Sequence, residues 1–182
     1  MVQKLRRPSK KKQLLEAAIH VAAQGGIEAL TIESLAAAAG VTKGGVQYHF
    51  RSKDVLYEEL LDYALRLFDL ALEEKAPPGS KPGTWLHAYV DLSLGSTTDY
   101  DKAVATLLAG IPVNDERAGP YRRFAARWKE RANADGRDAA TNTIVRLAAD
   151  SVWMERAYLS ASSTEIARLK QRLHQLIDEA QQ

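Results

Sequence analysis

LTIESLAAAAGVTKGGVQYHFRSK, residues 30–53, decides the fold. Thr31 is a good helix N-cap, and Ile32, Leu35, Ala36 and Ala39 recur behind it at helical spacing, so the stretch opens as an Ala-rich helix. Gly40 supplies the left-handed residue that ends it. After a single valine, Thr42 starts a short second helix that reaches about Phe50, and Ser52 caps a third. A helix, a tight turn at Gly40 and Val41, and a second helix form the arrangement that places a recognition helix in the DNA major groove.

The segment from Thr42 to Phe50 divides into two sides. Val46 and Phe50, four apart, face inward together with Leu35 and Ile19. Thr42, Lys43, Gly44, Gln47, Tyr48 and His49 remain outside. Lys43 can donate to guanine acceptors, Gln47 can pair with adenine, and Thr42, Tyr48 and His49 can donate to phosphates. Gly44 and Gly45 cost about 1 kcal/mol each relative to alanine in a helix, and close approach to DNA is a candidate for what offsets this. Lys53 lies in the first turn of the next helix, where the helix dipole already favours a phosphate. The candidate DNA-contact set is therefore Thr31, Thr42, Lys43, Gly44, Gly45, Gln47, Tyr48, His49 and Lys53, against the plainer reading of an ordinary polar helix surface.

Working outward, Ser9 caps a first helix that runs to Gln24 with Leu15, Ala18, Ile19 and Ala22 on one face, and Gly25 and Gly26 stop it. The helix capped by Ser52 continues to about Glu74, with Leu56, Leu60, Leu61, Ala64, Leu67, Phe68 and Ala71 as its buried stripe. APPGSKPG, residues 76–83, cannot be helical. Beyond it, helices are expected at about 84–96, 101–110, 120–134, 137–160 and 163–180. No stretch alternates like a half-buried strand. The expectation is an all-α protein of about nine helices: an N-terminal three-helix, helix-turn-helix domain at residues 1–50, then a linker helix and C-terminal helical bundle for ligand binding and dimerisation at residues 51–182.

Charge supports that division. Residues 1–54 carry nine Lys or Arg against four acids, whereas the remaining 128 residues carry 16 against 19. One end suits a polyanion and the other does not. The basic arm from Lys4 to Lys12 is read as reaching DNA, the alternative being a solubilising tail. The absence of cysteine excludes disulfides and thiolate chemistry. No apolar run approaches the roughly 18 residues of a membrane helix, and Glu16, His20 and Gln24 interrupt what would otherwise imitate a secretory signal, so a cytoplasmic protein with no membrane partner is expected. His20, His49, His87 and His174 are scattered without metal-ligand spacing, and no catalytic constellation stands out, so neither a metal, a cofactor nor an enzyme is expected.

The stretch AAGVTKGGVQYHFRSKDVLYEEL, preceded by LTIESLA, resembles the DNA-binding domain of the tetracycline-repressor (TetR) family of transcriptional regulators. The match extends from about Leu14 to Leu61 and includes that family's tyrosine, phenylalanine and lysine signature as Tyr48, Phe50 and Lys53. The resemblance implies a nine-helix subunit, homodimeric through its last two helices, whose C-terminal domain often encloses an inducer pocket. RLAADSVWM, residues 146–154, resembles one subgroup of these regulators, but Ser151 stands where that subgroup usually has glycine.

Two further sets belong to the C-terminal half. Trp85, Tyr89, Leu107, Phe124, Trp128, Trp153 and Met154, with Tyr100 among them, sit at helical spacing and read equally as core or as the lining of a pocket for a small apolar inducer. Arg122, Arg123 and Arg127 share one helix side, read as a solvated face before an anion site. In the last helix Ile166, Leu169, Leu173 and Leu176 follow the 3, 4, 3 spacing of a heptad seam, and Ile144, Leu147 and Val152 precede them. Two such helices from each of two subunits form a four-helix bundle, so these residues are expected at a homodimer interface, with packing inside one subunit as the alternative. The function expected is a ligand-responsive regulator, a repressor by resemblance, binding a pseudo-palindromic double-stranded DNA operator. The alternative is a DNA-binding adaptor whose C-terminal domain holds a protein partner and no small molecule.

Overall fold

The computed structural model describes residues 9–95, 98–110, 115–136, 138–158 and 162–180, without the side chains of Met154 and residues 156–158. Lys4, Arg6 and Arg7 of the basic arm lie outside the described residues. Among the described residues the chain forms α1 (Lys10–Ala29), α2 (Ile32–Ala39), α3 (Lys43–His49), α4 (Lys53–Lys75), α5 (Thr84–Ser93), α6 (Asp99–Gly110), a 3-10 turn (Glu116–Ala118), α7 (Gly119–Ala134), α8 (Ala139–Tyr158) and α9 (Ser163–Glu179), with no strand. No described helix is long and apolar enough to cross a membrane.

The helix starts are set by local chemistry. Ser9, Thr31, Thr42 and Ser52 each accept a hydrogen bond from the backbone N–H three residues on, satisfying donors that a helix start leaves open. Thr31 and Ser34 close a reciprocal capping box, as do Ser162 and Glu165 at α9. Gly40 ends α2 at φ 63°, in the left-handed region. α5 has no side-chain cap of its own at Gly83; instead Asp135, beyond the end of α7, accepts from the Leu86 N–H at 2.8 Å.

The first helix departs from expectation. It was expected to stop at Gly25 and Gly26, but helical structure resumes after a kink at Gly26 (φ 73°) and reaches Ala29. The extra turn is held from outside. Tyr57 Oη of α4 donates to the Ile27 carbonyl at 2.7 Å and the Leu30 carbonyl at 3.3 Å, and α6 lies so close that a Cβ on Gly110 would meet Ile27 Cγ2 at 3.1 Å. Tertiary contact thus overrides a local stop signal.

α4 carries the core of both halves. Leu56, Tyr57, Leu60, Leu61, Ala64, Leu65, Phe68 and Leu72 are its buried residues, while Leu67 and Ala71, expected in the stripe, are half-buried at its edge. Its first turns meet α1, and its later turns meet α5, α6 and α7. Along α7 the arginines read as a solvated face are instead partly engaged: Arg123 pairs with Asp62 at 3.3 Å and Arg127 with Asp69. Trp128 Nε1 donates to the same Asp69 at 2.9 Å.

Tyr57→Phe removes the hydroxyl that holds the α1–α2 turn and leaves the Ile27 carbonyl with the Leu30 N–H, at 3.3 Å, as its remaining donor. A loss of about 1–3 kcal/mol is expected, a drop of several degrees in thermal melting, with amide exchange accelerated first at Ile27–Leu30. An unchanged melting temperature would mean that the turn is held by packing alone.

Candidate nucleic-acid interface and the C-terminal core

α3 presents the two sides anticipated for it. Val46 and Phe50 are fully buried against Leu35, and Ile19 is half-buried beside them. Burying side chains of this size contributes roughly 1.5–3 kcal/mol each, which fixes the rotation of a helix only seven residues long. The opposite side is left outward: Thr42, Lys43, Gly44, Gln47 and Tyr48 are exposed, Tyr48 at 85%, while Gly45 and His49 are half-buried. Tyr48 and His49 meet edge to face with ring centroids 5.1 Å apart.

Several of these groups have partners within the chain. Thr42 Oγ1 is occupied as the N-cap acceptor of the Gly45 N–H at 3.1 Å. Thr31, half-buried, is likewise held in its capping box. The Lys43 ammonium pairs with Glu33 on α2, and this contact holds the Glu33 carboxyl below its usual range. Lys53 sits over the Tyr57 ring at 5.2 Å from the centroid, and hydrogen bonding to Tyr57 raises its pKa. Lys11 pairs with Glu59. Lys10 and Gln13 edge a groove of about 260 Å³ that also touches Val41, Gly45, Tyr48 and His49.

The two glycines of α3 are informative by what surrounds them. A Cβ on Gly44 would come no closer than 4.0 Å to Thr42 Oγ1, and one on Gly45 no closer than 3.4 Å to the same atom. Neither residue has positive φ. Nothing in the described chain requires glycine at either position.

The aromatic set of the C-terminal half is brought together around Phe68 of α4. Tyr89, Trp128 and Trp153 have ring centroids 5.6, 5.1 and 5.5 Å from it, Trp85 stacks on Tyr89 at 5.0 Å, and Phe124 lies 5.7 Å from Trp128. Trp85, Tyr89, Leu107, Phe124 and Trp128 are buried, Trp153 is half-buried, and the Met154 side chain lies outside the described residues. Two clefts open beside the cluster. One of about 350 Å³ is edged by Phe124, Arg123 and Arg127, and one of about 510 Å³ by Phe68, Leu92, Tyr100 and Asp101.

The expected seam on α8 and α9 is divided between two uses. Val152 and Leu173, read as interface residues, are 2% exposed and packed inside the subunit, because the inward face of α9 centres on Leu173 and Ile177. Ile166, Leu169 and Leu176 are half-buried on its flank, and Ile144 and Leu147 of α8 are 57% and 53% exposed. α9 is also held to α5 by polar contacts. The Nδ1 atoms of His87 and His174 lie 2.5 Å apart, His87 Nε2 is 3.1 Å from Asp178, and Asp91 meets both His174 Nε2 at 3.1 Å and Lys170 at 2.8 Å. Two of the histidines read as scattered thus come together, although no group of three or more side chains able to hold a metal occurs among the described residues.

Sequence reasoning missed a polar row on α8 that runs from the buried Asn142 to the half-buried Arg146 and Asp150. Asn142 is 1% exposed; Arg146 donates to Asp150 at 2.6 Å, and Tyr89 Oη donates to the same carboxylate. Burial raises the Asp150 and Tyr89 pKa values. Asn142 Nδ2 and Arg146 Nε are buried without a partner among the described residues, at a cost of about 1–3 kcal/mol for each orphaned group. The signal available was the spacing of Asn142, Arg146 and Asp150 at four-residue intervals on one helix face.

Residues 14–60 match the family described as bacterial regulatory proteins, tetR family, and residues 83–178 match the tetracyclin repressor-like C-terminal domain. The HTH-type transcriptional regulator RutR of Escherichia coli (strain K12) is 32% identical over 120 residues, which cover 61% of this chain and 54% of RutR, so the match spans about half the length of that relative. A transcriptional regulator from Rhodococcus sp. Rha1 superposes with a TM-score of 0.78 at 21% identity, covering 94% of this chain and 96% of that one. A transcriptional regulator from Saccharomonospora viridis in complex with choline gives 0.78 at 17% identity, over 92% and 95%. At these identities the structures share the fold. With both halves of the chain matched in register with the helices described above, the protein belongs to the tetracycline-repressor (TetR) family of bacterial regulatory proteins.

Proposed function

We propose that this protein is a transcriptional repressor that binds a pseudo-palindromic operator as a homodimer and leaves it when a small molecule occupies the C-terminal half. The observation that carries the DNA-binding part is α3, whose outward side offers Lys43, Gln47 and Tyr48 while its own chain gives no reason for Gly44 and Gly45. Glycine in a helix is unfavourable by about 1 kcal/mol relative to alanine. Close approach of a phosphate backbone to that side accounts for both glycines. Lys53 at the start of α4 and the lysines at the start of α1 flank the same region. The likeness to RutR over 120 residues supports this assignment.

The homodimer part is supported by Ile144 and Leu147 of α8, large apolar side chains left more than half exposed, and by the half-buried Ile166 and Leu169 of α9. A second copy applied to α8 and α9 would cover all four as a four-helix bundle. For the small-molecule part, choline in the Saccharomonospora viridis regulator and malachite green in the multidrug binding protein EbrR indicate what this fold accommodates in other proteins. The adaptor reading, in which a protein partner replaces the small molecule, is favoured by one observation: the aromatic rings pack directly on one another.

Gly44→Ala separates DNA contact from stability. The free chain has room for the methyl group, so the domain should gain up to about 1 kcal/mol of stability while specific DNA affinity falls at least tenfold. Undiminished affinity would remove the argument from the glycines. Lys43→Ala and Gln47→Ala should each lose about 1–3 kcal/mol of discrimination at one base position, whereas Lys53→Ala should weaken all sequences alike and lower the salt slope by about one. Binding isotherms on wild-type and mismatched fragments at several salt concentrations read these out, and a Lys53→Ala variant with altered base preference would contradict the assignment.

Leu147→Glu places a charge on the exposed face of α8 without entering the subunit core. Sedimentation should show a folded monomer with little specific DNA binding, whereas Leu173→Glu, which enters the core, should lower the melting temperature. A Leu147→Glu protein that stays dimeric would move the interface elsewhere.

A further inference from the structure

Glu33 places an acid beside the candidate DNA face. It sits in the first turn of α2, more than half exposed, and its carboxylate meets the ammonium of Lys43 at the start of α3. That contact keeps the Glu33 carboxyl ionised, held below its usual range. Lys43 is itself more than half exposed, and its own helix offers it no countercharge: α3 holds no acid, and the positive end of the helix dipole disfavours a lysine there. Gly44 and Gly45, which follow it, carry no side chain, and Gln47, one turn on and exposed, shares its face.

A carboxylate in this position repels phosphates, so it weakens DNA binding as such. What it alters is choice. A lysine ammonium has three donors and no acceptor. Glu33 engages one of them and leaves two, and the major-groove edge of guanine presents two acceptors, O6 and N7. Those acceptors carry no net charge and join Lys43 without opposing Glu33, whereas a phosphate oxygen would bring a second anion against the carboxylate. Without Glu33, Lys43 is a point charge on a flexible stem that any phosphate satisfies.

We infer that Glu33 is a positioning residue for sequence recognition: it holds Lys43 away from the phosphates and directs the remaining donors of its ammonium to a guanine in the major groove. The inference deepens the DNA-binding part of the proposed function and rests on it.

Wild type, Glu33→Gln, Lys43→Ala and the double variant are compared on a duplex of random sequence and on duplexes that each protein selects from a randomised pool. On the random duplex Glu33→Gln should bind up to about fivefold more tightly, the scale of one exposed charge pair. Its plot of log affinity against log salt should steepen by about one, as Lys43 gains a phosphate. A loosened fold would lower affinity instead, so the direction separates the two. In the selected duplexes, the guanine whose preference Lys43→Ala erases should be favoured about fivefold less by Glu33→Gln than by wild type. Glu33→Asp, which keeps the charge, should behave as wild type, and both effects of Glu33→Gln should vanish in the Lys43→Ala background. Tighter binding that persists there means that Glu33 merely repels DNA, and it overturns the inference. So do an unchanged salt slope and a guanine preference that either single variant leaves intact. If wild type selects a sequence while these expectations fail, only the positioning role is lost; if wild type selects none, the DNA-binding reading falls and the inference with it.

Discussion

The buried stripe of α4, from Leu56 to Leu72, is the surface on which the rest of the chain assembles. Its first turn holds Lys53, at the edge of the candidate DNA face, and Tyr57, whose hydroxyl ties down the α1–α2 turn. Four turns later Phe68 stands at the centre of the aromatic cluster, and Asp69 holds both Trp128 and Arg127 of α7. A helix of 23 residues extends about 35 Å at 1.5 Å per residue. The residues that set the C-terminal packing and those that set the position of α3 thus share one rigid element. A tilt of a few degrees at the Phe68 end displaces the Lys53 end by ångströms.

A second tie runs beside it. α6 lies along α1, with Gly110 against Ile27 and His20 Nδ1 3.2 Å from Asp99. Two independent connections make the N-terminal helices sensitive to the packing of the C-terminal half, while the non-helical segment 76–83 falls between α4 and α5 and separates no cores. To change DNA affinity a hundredfold, an occupant of the C-terminal half must distinguish two arrangements of these ties by about 2.7 kcal/mol, within the usual range of coupling energies. A difference of that size corresponds to only one or two buried hydrogen bonds.

Features written in local chemistry were legible in the sequence. Thr31, Gly40, Thr42 and Ser52 act within three or four residues of themselves, so the helix-turn-helix and the outward side of α3 follow from spacing alone. Features that depend on distant residues were not. Gly26 ends a helix by its own preference, yet Tyr57, thirty residues on, holds one more turn in place. Asp135 caps α5 across the fold, and His87 meets His174 across 87 positions. The heptad spacing of α9 revealed how much apolar surface there was but not its direction. Leu173, with Ile177, serves the subunit's own core while Leu169 lies on the flank.

α8 shows why amphipathicity alone misreads such a helix. Periodicity assigns apolar residues to the core and charged ones to water, which would place Ile144 and Leu147 inside and Arg146 and Asp150 outside. Instead Ile144 and Leu147 are exposed, and Arg146 and Asp150 are half-buried. Each reversal is unfavourable in an isolated chain: exposed apolar area forgoes roughly 25 cal/mol per Å², and orphaned buried donors lose hydrogen bonds they would make to water. Rotating α8 about its axis would relieve both at once, but Val145, Ala149 and Val152 fix the rotation by filling the core between the polar residues. Two opposite faces of one helix are therefore each incomplete in the single subunit. The helix that a second subunit would cover on one side is the one whose other side holds the unfilled donors, and its position is set by α5, α6, α7 and α9 together. Under the proposed function, a second copy on the exposed face of α8 would act on the same rigid body that abuts the partners of α4.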